Sequence, residues 1–257
     1  MSFYDALILG ILQGLTEFLP VSSSGHLVLA QAILKVKESG VSFEVLVHLG
    51  SLLAVIIYFR LRILTLIKSL FNRGMVRERR IVICLVVGTL PAVVAALLFR
   101  GFFESAFSNP VMTSVMLFVT GLILVSTAFV GKSTRDIALL SAVAMGVGQA
   151  LAIMPGISRS GTTIAAGMLA GVKPSEAAEF SFLLAIPAIL GAVIFKADTL
   201  LEISRALIAP YAVGALVALA SSLFAVYAVL AVIRRGKFVY FGYYCFAAGA
   251  VGLYLFV

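Results

Sequence analysis

Apolar runs of 19 or 20 residues, free of any charge, recur along the chain at 81–99, 111–130 and 238–257. About 20 apolar residues of helix cross a hydrocarbon core of ~30 Å, so each run predicts a membrane-spanning helix. Similar runs at 41–59, 177–195 and 207–233 complete six predicted spans. Two further apolar segments have a different shape. The first, 6–34, is broken into two short pieces by Pro20 and by Ser22, Ser23 and Ser24. Its first piece, Ala6 to Leu19, reaches only about 20 Å at ~1.5 Å rise per residue. Proline pushes the residue before it out of helical geometry, and the serines supply N-cap chemistry for the second piece. The segment 137–172 has the same form, with helices predicted at 137–154 and 160–172 around Pro155. Each segment reads as a re-entrant helical hairpin. The irregular turn of such a hairpin must be satisfied by protein or by a watery cavity.

The two hairpins are copies. Gly10 to Gly25, GILQGLTEFLPVSSSG, aligns without a gap on Gly146 to Gly161, GVGQALAIMPGISRSG, 136 positions later. Gly10, Gln13, Leu15, Ser22, Ser24 and Gly25 fall on Gly146, Gln149, Leu151, Ser158, Ser160 and Gly161. Further on, Phe43-Glu44-Val45-Leu46 resembles Phe180-Ser181-Phe182-Leu183. The halves, 1–130 and 131–257, each read as one hairpin plus three spans. Three is odd, so the halves must lie in opposite orientations. The expected fold is therefore one all-α polytopic membrane domain, 1–257, built as an inverted-topology repeat, with its site at the repeat interface near the midplane.

Composition agrees: 62% of the residues are hydrophobic and 12% charged, with mean hydropathy +1.17, against roughly 25% charged in soluble domains. The net charge of +8 raises nucleic acid as a partner, but the charges sit in short loops, where they set topology and attract anionic membrane lipids. No nucleic-acid binding is expected. Seven Lys/Arg and the single acid Glu78 lie between Arg60 and Arg80, which makes that loop cytoplasmic. With both hairpins re-entrant, 13 Lys/Arg fall in cytoplasmic loops and five outside, at Lys35, Lys37, Arg100, Lys196 and Arg205, with Arg159 left at a hairpin tip. Lys132 and Arg135 belong to the cytoplasmic set. Cys84 and Cys245 lie in apolar runs and read as free thiols, and no metal-type Cys/His spacing exists. The opening MSFYDALILG has neither a basic n-region nor an A-x-A site, so it is not expected to be a cleaved signal.

The candidate chemistry is confined to the hairpins. Gln13 and Glu17, four apart, share a helix face, and a carboxylate in such surroundings must be paired, protonated or metal-bound. Taken alone, it could simply cap loop amides. SSSG and SRSG each precede a helix, whose free N–H groups favour an anion; either loop alone reads as plain N-capping, whereas two facing loops present two helix N-termini to one ligand. Arg159 could grip phosphate oxygens bidentately, or pair with Glu17 when the site is empty. His26 reads either as a hydrogen-bonded core residue or as the base in a serine–histidine–carboxylate pattern. His48 reads as mostly structural, lining the cavity. A multiply charged anion reached from within the membrane is the expected ligand, and a diphosphate on a lipid tail fits. Glu17 would repel it unless Mg²⁺ or Ca²⁺ intervenes.

These residues resemble the undecaprenyl-diphosphate phosphatases of bacterial cell envelopes, also called bacitracin-resistance proteins. Gln13-Gly14-Leu15-Thr16-Glu17 is similar to that family's (E/Q)xxxE motif and is followed by FLPVSSSGH, Phe18 to His26. Pro155 to Thr163, PGISRSGTT, is similar to its PGxSRSxxT motif, and the likeness covers essentially the whole chain. Gln13 occupies a position that is Glu or Gln in the family, so one carboxylate stands there instead of two. The resemblance implies hydrolysis of undecaprenyl diphosphate to the monophosphate, recycling the carrier lipid for peptidoglycan synthesis. It also implies a divalent-cation cofactor and a site opening to the outer, periplasmic side of a bacterial plasma membrane. Position by position it implies roles for Gln13, Glu17, Ser22, Ser23, His26, Ser158, Arg159, Ser160 and Thr163. Ser23, ahead of Ser22, is the expected nucleophile, with direct attack by water as the rival. Glu17 and His26 would handle the proton and the metal, and Arg159 with the second loop would hold the diphosphate. Assembly as a homodimer is left open. A lipid flippase or transporter with the same architecture is the alternative, and an ion channel is disfavoured by Arg159 at the loop tip.

Overall fold

The computed structural model describes residues 1–34, 41–106, 109–131, 133–201 and 203–257. The described residues are all-helical apart from one isolated backbone bridge. The helices are α1 (Phe3–Phe18), α2 (Ser23–Leu34), α3 (Val41–Tyr58), α4 (Arg60–Phe71), α5 (Val76–Leu98), α6 (Arg100–Ala106), α7 (Pro110–Ser126), α8 (Leu139–Leu151), α9 (Arg159–Leu169), α10 (Pro174–Phe195), α11 (Asp198–Leu201), α12 (Arg205–Arg234) and α13 (Tyr240–Phe256). Among the described residues, four helices are long and apolar enough to cross a membrane: α5, α7 with the 3₁₀ turn that extends it to Phe129, α10 and α12. The bent pair α3–α4 makes up to five, and α13 is a shorter apolar helix of 17 residues. Large side chains such as Leu98, Leu122 and Tyr254 stand exposed on these helices, as expected where lipid replaces water. The chain is a multi-pass membrane protein. The loop charges Lys35, Lys37 and Lys132 lie outside the described residues.

One expectation is corrected. The stretch from Arg60 to Arg80, expected as a basic loop, is mostly helical, because α4 turns 75° from α3 and α5 begins at Val76. Its sequence explains this. Leu61, Leu64, Ile67, Leu70 and Phe71 are exposed while Leu66 and Ser69 are buried. Arg60, Arg62 and Lys68 supply the charge, the composition of a helix lying in the membrane interface. Arg79 closes the C-terminal end of α4 by donating to the Ser69 carbonyl at 3.3 Å and the Asn72 carbonyl at 2.9 Å.

Each short hairpin packs on a long helix from the other half of the chain: α1 lies against α12 and α8 against α5, while α7 pairs with α13. Glycines allow the approach. A Cβ on Gly10 would come within 3.0 Å of the Gly214 Cα, and one on Gly146 within 3.0 Å of the Gly88 carbonyl carbon, with the carbonyl oxygens closer still. Small residues at such crossings let helix backbones touch, and in lipid that packing is what holds helices together. Gly146→Leu is expected to lower the melting temperature in detergent by several degrees, since overpacking costs about 1–3 kcal/mol. An unchanged melting temperature would mean that α8 and α5 slide apart freely.

At the base of the second hairpin, the Arg135 N–H donates to the Gly171 carbonyl at 3.0 Å and the Lys173 N–H to the Arg135 carbonyl at 3.1 Å. The chain therefore enters α8 and leaves α9 at the same end. Lys173 Nζ also binds Asp136 at 3.0 Å, with Arg77 at 3.3 Å from the same carboxylate. The hydrogen bond and charge of Lys173, then the charge of Arg77, hold this carboxyl below the usual carboxylate range. The network is exposed and contributes little to stability.

Candidate active site

The two hairpin turns meet. Ser160 Oγ, in the first turn of α9, donates to the Leu19 carbonyl at 2.9 Å, and a Cβ on Gly25 would lie 3.1 Å from the Gly156 Cα. Each turn contains one left-handed residue, Ser22 at φ 70° and Gly156 at φ 94°, which swings the chain from one short helix into the next. The turns also repeat each other's bonds. Ser22 Oγ accepts from the Gly25 N–H at 3.2 Å, and Ser158 Oγ accepts from the Gly161 N–H at 3.1 Å. Ser22 Oγ lies 3.3 Å from Ser24 Oγ, and Ser158 Oγ lies 3.4 Å from Ser160 Oγ. Ser22 and Ser158 thus satisfy the N-termini of α2 and α9.

Glu17, in the last turn of α1, is 7% exposed and is the hub of the site. Arg159 Nη2 donates to its Oε1. Ser23 Oγ donates to its Oε2 at 2.6 Å and Gln13 Nε2 donates to the same oxygen at 2.9 Å. His48 Nε2 approaches that oxygen to 3.6 Å. The Arg159 guanidinium carbon sits 5.9 Å over the Phe18 ring, and Phe18 is fixed edge-on to Phe182, with centroids 5.5 Å apart. The carboxylate is therefore held from four directions and its guanidinium partner from below.

Around this cluster is a cavity of about 260 Å³, lined by Glu17, Ser22, Ser23, Ser24, Ser158 and Arg159 on the two turns and by Glu44 and His48 on α3. A second cavity of about 440 Å³ is walled mostly by apolar residues of α5 and α10, with Gln149 of α8. Arg159, Lys196, Ala152, Ile153, Ala188 and Ala192 line both. A polar chamber thus abuts an apolar one, with a guanidinium in the shared wall.

Not every site residue named from the sequence reaches the Glu17 carboxylate. His26 does not stand between a serine and Glu17. Its Nδ1 is 2.8 Å from the Ser22 carbonyl and its Nε2 is 2.8 Å from the Tyr244 hydroxyl, with the two rings stacked at 5.6 Å. A carbonyl only accepts, so Nδ1 carries the proton and Nε2 accepts from tyrosine. Ser23 reaches the carboxylate directly. Thr163 and Ser160 are fully buried: Thr163 Oγ1 donates to the Arg159 carbonyl at 2.7 Å and pairs with Ser181, so both residues hold the turn and line neither cavity. Gln13, also fully buried, orients Glu17. The pairing of Arg159 with Glu17, raised from the sequence as the empty-state alternative, is what the structure contains. His48 contributes more than its sequence reading allowed. Its Nδ1 lies 2.7 Å from the Glu44 carbonyl, which turns Nε2 towards Glu17 at 3.6 Å. Two ionisable residues four apart in an apolar run, Glu44 and His48, were the available signal.

Among the described residues no group of three His, Cys, Asp or Glu side chains could cage a metal ion. Two carboxylates, Glu17 and Glu44, nevertheless line the polar cavity, and Mg²⁺ is commonly held by one or two carboxylates together with substrate phosphates. The donor set fits an ion that arrives with a phosphate ligand.

The fold and site define a class: multi-pass helical membrane proteins whose polar centre is shared by two short hairpins from opposite halves of the chain. The family profile described as bacitracin resistance protein BacA matches residues 6–251. The chain is 40% identical over 262 residues to the undecaprenyl-diphosphatase of Carboxydothermus hydrogenoformans, covering 99% of this chain and 98% of that one. It is 40% identical over 271 residues to that of Salinibacter ruber, covering 99% and 100%. To that of Syntrophotalea carbinolica it is 42% identical over 257 residues, covering 98% of each. The chain belongs to the bacitracin resistance protein BacA family.

Proposed function

We propose that the protein is an integral-membrane phosphatase that hydrolyses undecaprenyl diphosphate to undecaprenyl phosphate and inorganic phosphate, recycling a carrier lipid for cell-wall synthesis and thereby conferring bacitracin resistance. The observation that carries this reading is the 2.6 Å hydrogen bond from Ser23 Oγ to Glu17, in a polar cavity whose wall is shared with an apolar one. The diphosphate occupies the first cavity and the proximal isoprenoid units the second. Ser23 Oγ attacks the terminal phosphorus and gives its proton to Glu17 Oε2. The bond from that phosphorus to the bridging oxygen breaks, and the lipid monophosphate leaves with the electron pair. Water then attacks the phosphoserine, restoring the Ser23 hydroxyl and releasing inorganic phosphate. Arg159 leaves Glu17 for the phosphate oxygens as substrate enters, which frees the carboxylate for this work. Gln13 keeps that carboxylate aimed, and His48 Nε2 passes its proton towards solvent. Bound at Glu17 and Glu44 with the diphosphate, Mg²⁺ or Ca²⁺ would neutralise charge that develops on the phosphate.

The architecture belongs to the same proposal. Two repeats, 1–130 and 131–257, related by inversion, would bring two re-entrant hairpins together from opposite faces of a bacterial plasma membrane, with the polar cavity open to the outer side. The reciprocal packing of α1 on α12 and α8 on α5 supports this, as does the closed base of the second hairpin. The same reciprocity favours a second reading, lipid transport, because inverted repeats are common among transporters. A phosphate-release assay on purified protein with a polyprenyl diphosphate separates them, since transport alone yields no phosphate. Release is expected to stop with chelator and return with Mg²⁺. Acid quench during turnover is expected to trap phosphate on Ser23, whereas steady release with no trapped phosphoserine would assign the attack to water.

A further inference from the structure

Gln149, on α8, shares with Thr162 a buried side chain on which every polar atom is unpartnered. It is 3% exposed, and neither its amide nitrogen nor its amide oxygen has a hydrogen-bond partner. It lines the apolar cavity of about 440 Å³. Its counterpart in the repeat, Gln13, donates its amide to Glu17. Thr89, which also lines that cavity, donates to the Leu85 carbonyl at 2.8 Å. Arg159 has the same unspent capacity: Nη2 is on Glu17, while Nη1 is buried and unpartnered. A buried amide left unpaired is unfavourable, and each such group in a native fold calls for a reason. Here two unpartnered donor groups line one apolar chamber.

Resting on the hydrolase reading, we propose that Gln149, together with Arg159 Nη1, holds the lipid-proximal phosphate, the one that stays on the product. The argument is positional. The terminal phosphorus must lie by Ser23 in the polar cavity, and the isoprenoid must lie among apolar walls. The phosphate joining them therefore falls at the wall that Arg159 shares between the two chambers. Gln149 supplies an N–H from the tail side, and being neutral it adds no further cation to Arg159 and Lys196, which already stand in the shared wall. The residue thus reads a phosphate esterified to a lipid and is indifferent to free phosphate.

Gln149→Leu tests this. It keeps side-chain volume and removes both unpaired polar atoms, so the melting temperature in detergent is expected to hold or rise. The KM for polyprenyl diphosphate is expected to rise about tenfold, the loss of roughly one hydrogen bond to a charged group, with kcat changed by less than about threefold. Competitive inhibition by polyprenyl monophosphate weakens in parallel, while inhibition by inorganic phosphate is unchanged. An unchanged KM and monophosphate inhibition would overturn the proposal, and so would an equal weakening of inhibition by inorganic phosphate. If the wild type released no phosphate, the hydrolase reading would fail by itself. Direct binding of polyprenyl monophosphate to wild type and Gln149→Leu would still decide the role of Gln149, with equal affinities overturning it.

Discussion

Glu17→Ala is expected to lower phosphate release from a polyprenyl diphosphate by about 10²–10⁴-fold, the range for loss of a positioned base. Glu17→Gln sharpens the test. The glutamine oxygen can still accept from Ser23, and its volume matches, but it cannot take the serine proton and leaves Arg159 without a counter-charge. If charge and basicity are what Glu17 contributes, the two variants are equally inactive at saturating Mg²⁺. Recovery of more than a tenth of wild-type turnover in Glu17→Gln would reduce the carboxylate to a hydrogen-bond acceptor and sink the assignment. Both variants should still bind lipid diphosphate, because the phosphate grip lies on the other hairpin.

Arg159→Ala is expected to cost about 10²–10³-fold in kcat/KM, comparable to removing a donor aimed at developing charge. Arg159→Lys should recover little of it, since an ammonium cannot grip two phosphate oxygens with a planar fork. Stability supplies the second readout. Breaking a buried ion pair from one side costs ~3–5 kcal/mol, so Arg159→Ala melts well below wild type. The double variant Glu17→Gln with Arg159→Met restores the melting temperature and restores no activity. Near-normal turnover in Arg159→Ala with saturating Mg²⁺ would show that the guanidinium serves the fold alone.

Much of this arrangement was written in local pattern. The short apolar pieces, Pro20 and Pro155, and the matched SSSG and SRSG turns placed α1, α2, α8 and α9 within a few residues of where they lie. Glu17, Ser23 and Arg159 stood out because ionisable or nucleophilic groups in apolar surroundings need a reason. Helix α4 was hidden because its arginines read as loop charge, and only the spacing of Leu61, Leu64 and Ile67 distinguished it. The partner of His26 was not legible either: Tyr244 lies 218 positions away, and spacing within a motif carries no information about so distant a neighbour. Thr163 and Ser160 sit in a motif of conspicuous chemistry, yet their hydroxyls bond backbone carbonyls, a choice that depends on which way the helix faces.

The bond between His26 and Tyr244 also bears on how the molecule is made. Along the chain the first hairpin precedes α13, and Arg159 follows Glu17 by 142 positions. While those residues are being made, Glu17 therefore has no Arg159 to meet, and a carboxylate lodged in lipid without such a partner is held at high energy unless protonated. Long-range pairings of this kind form late, because the closure of a long chain segment must precede them. The polar centre is thus expected to close only after the turn that carries Arg159 has been made, so the site is completed later than the first hairpin that supplies its carboxylate.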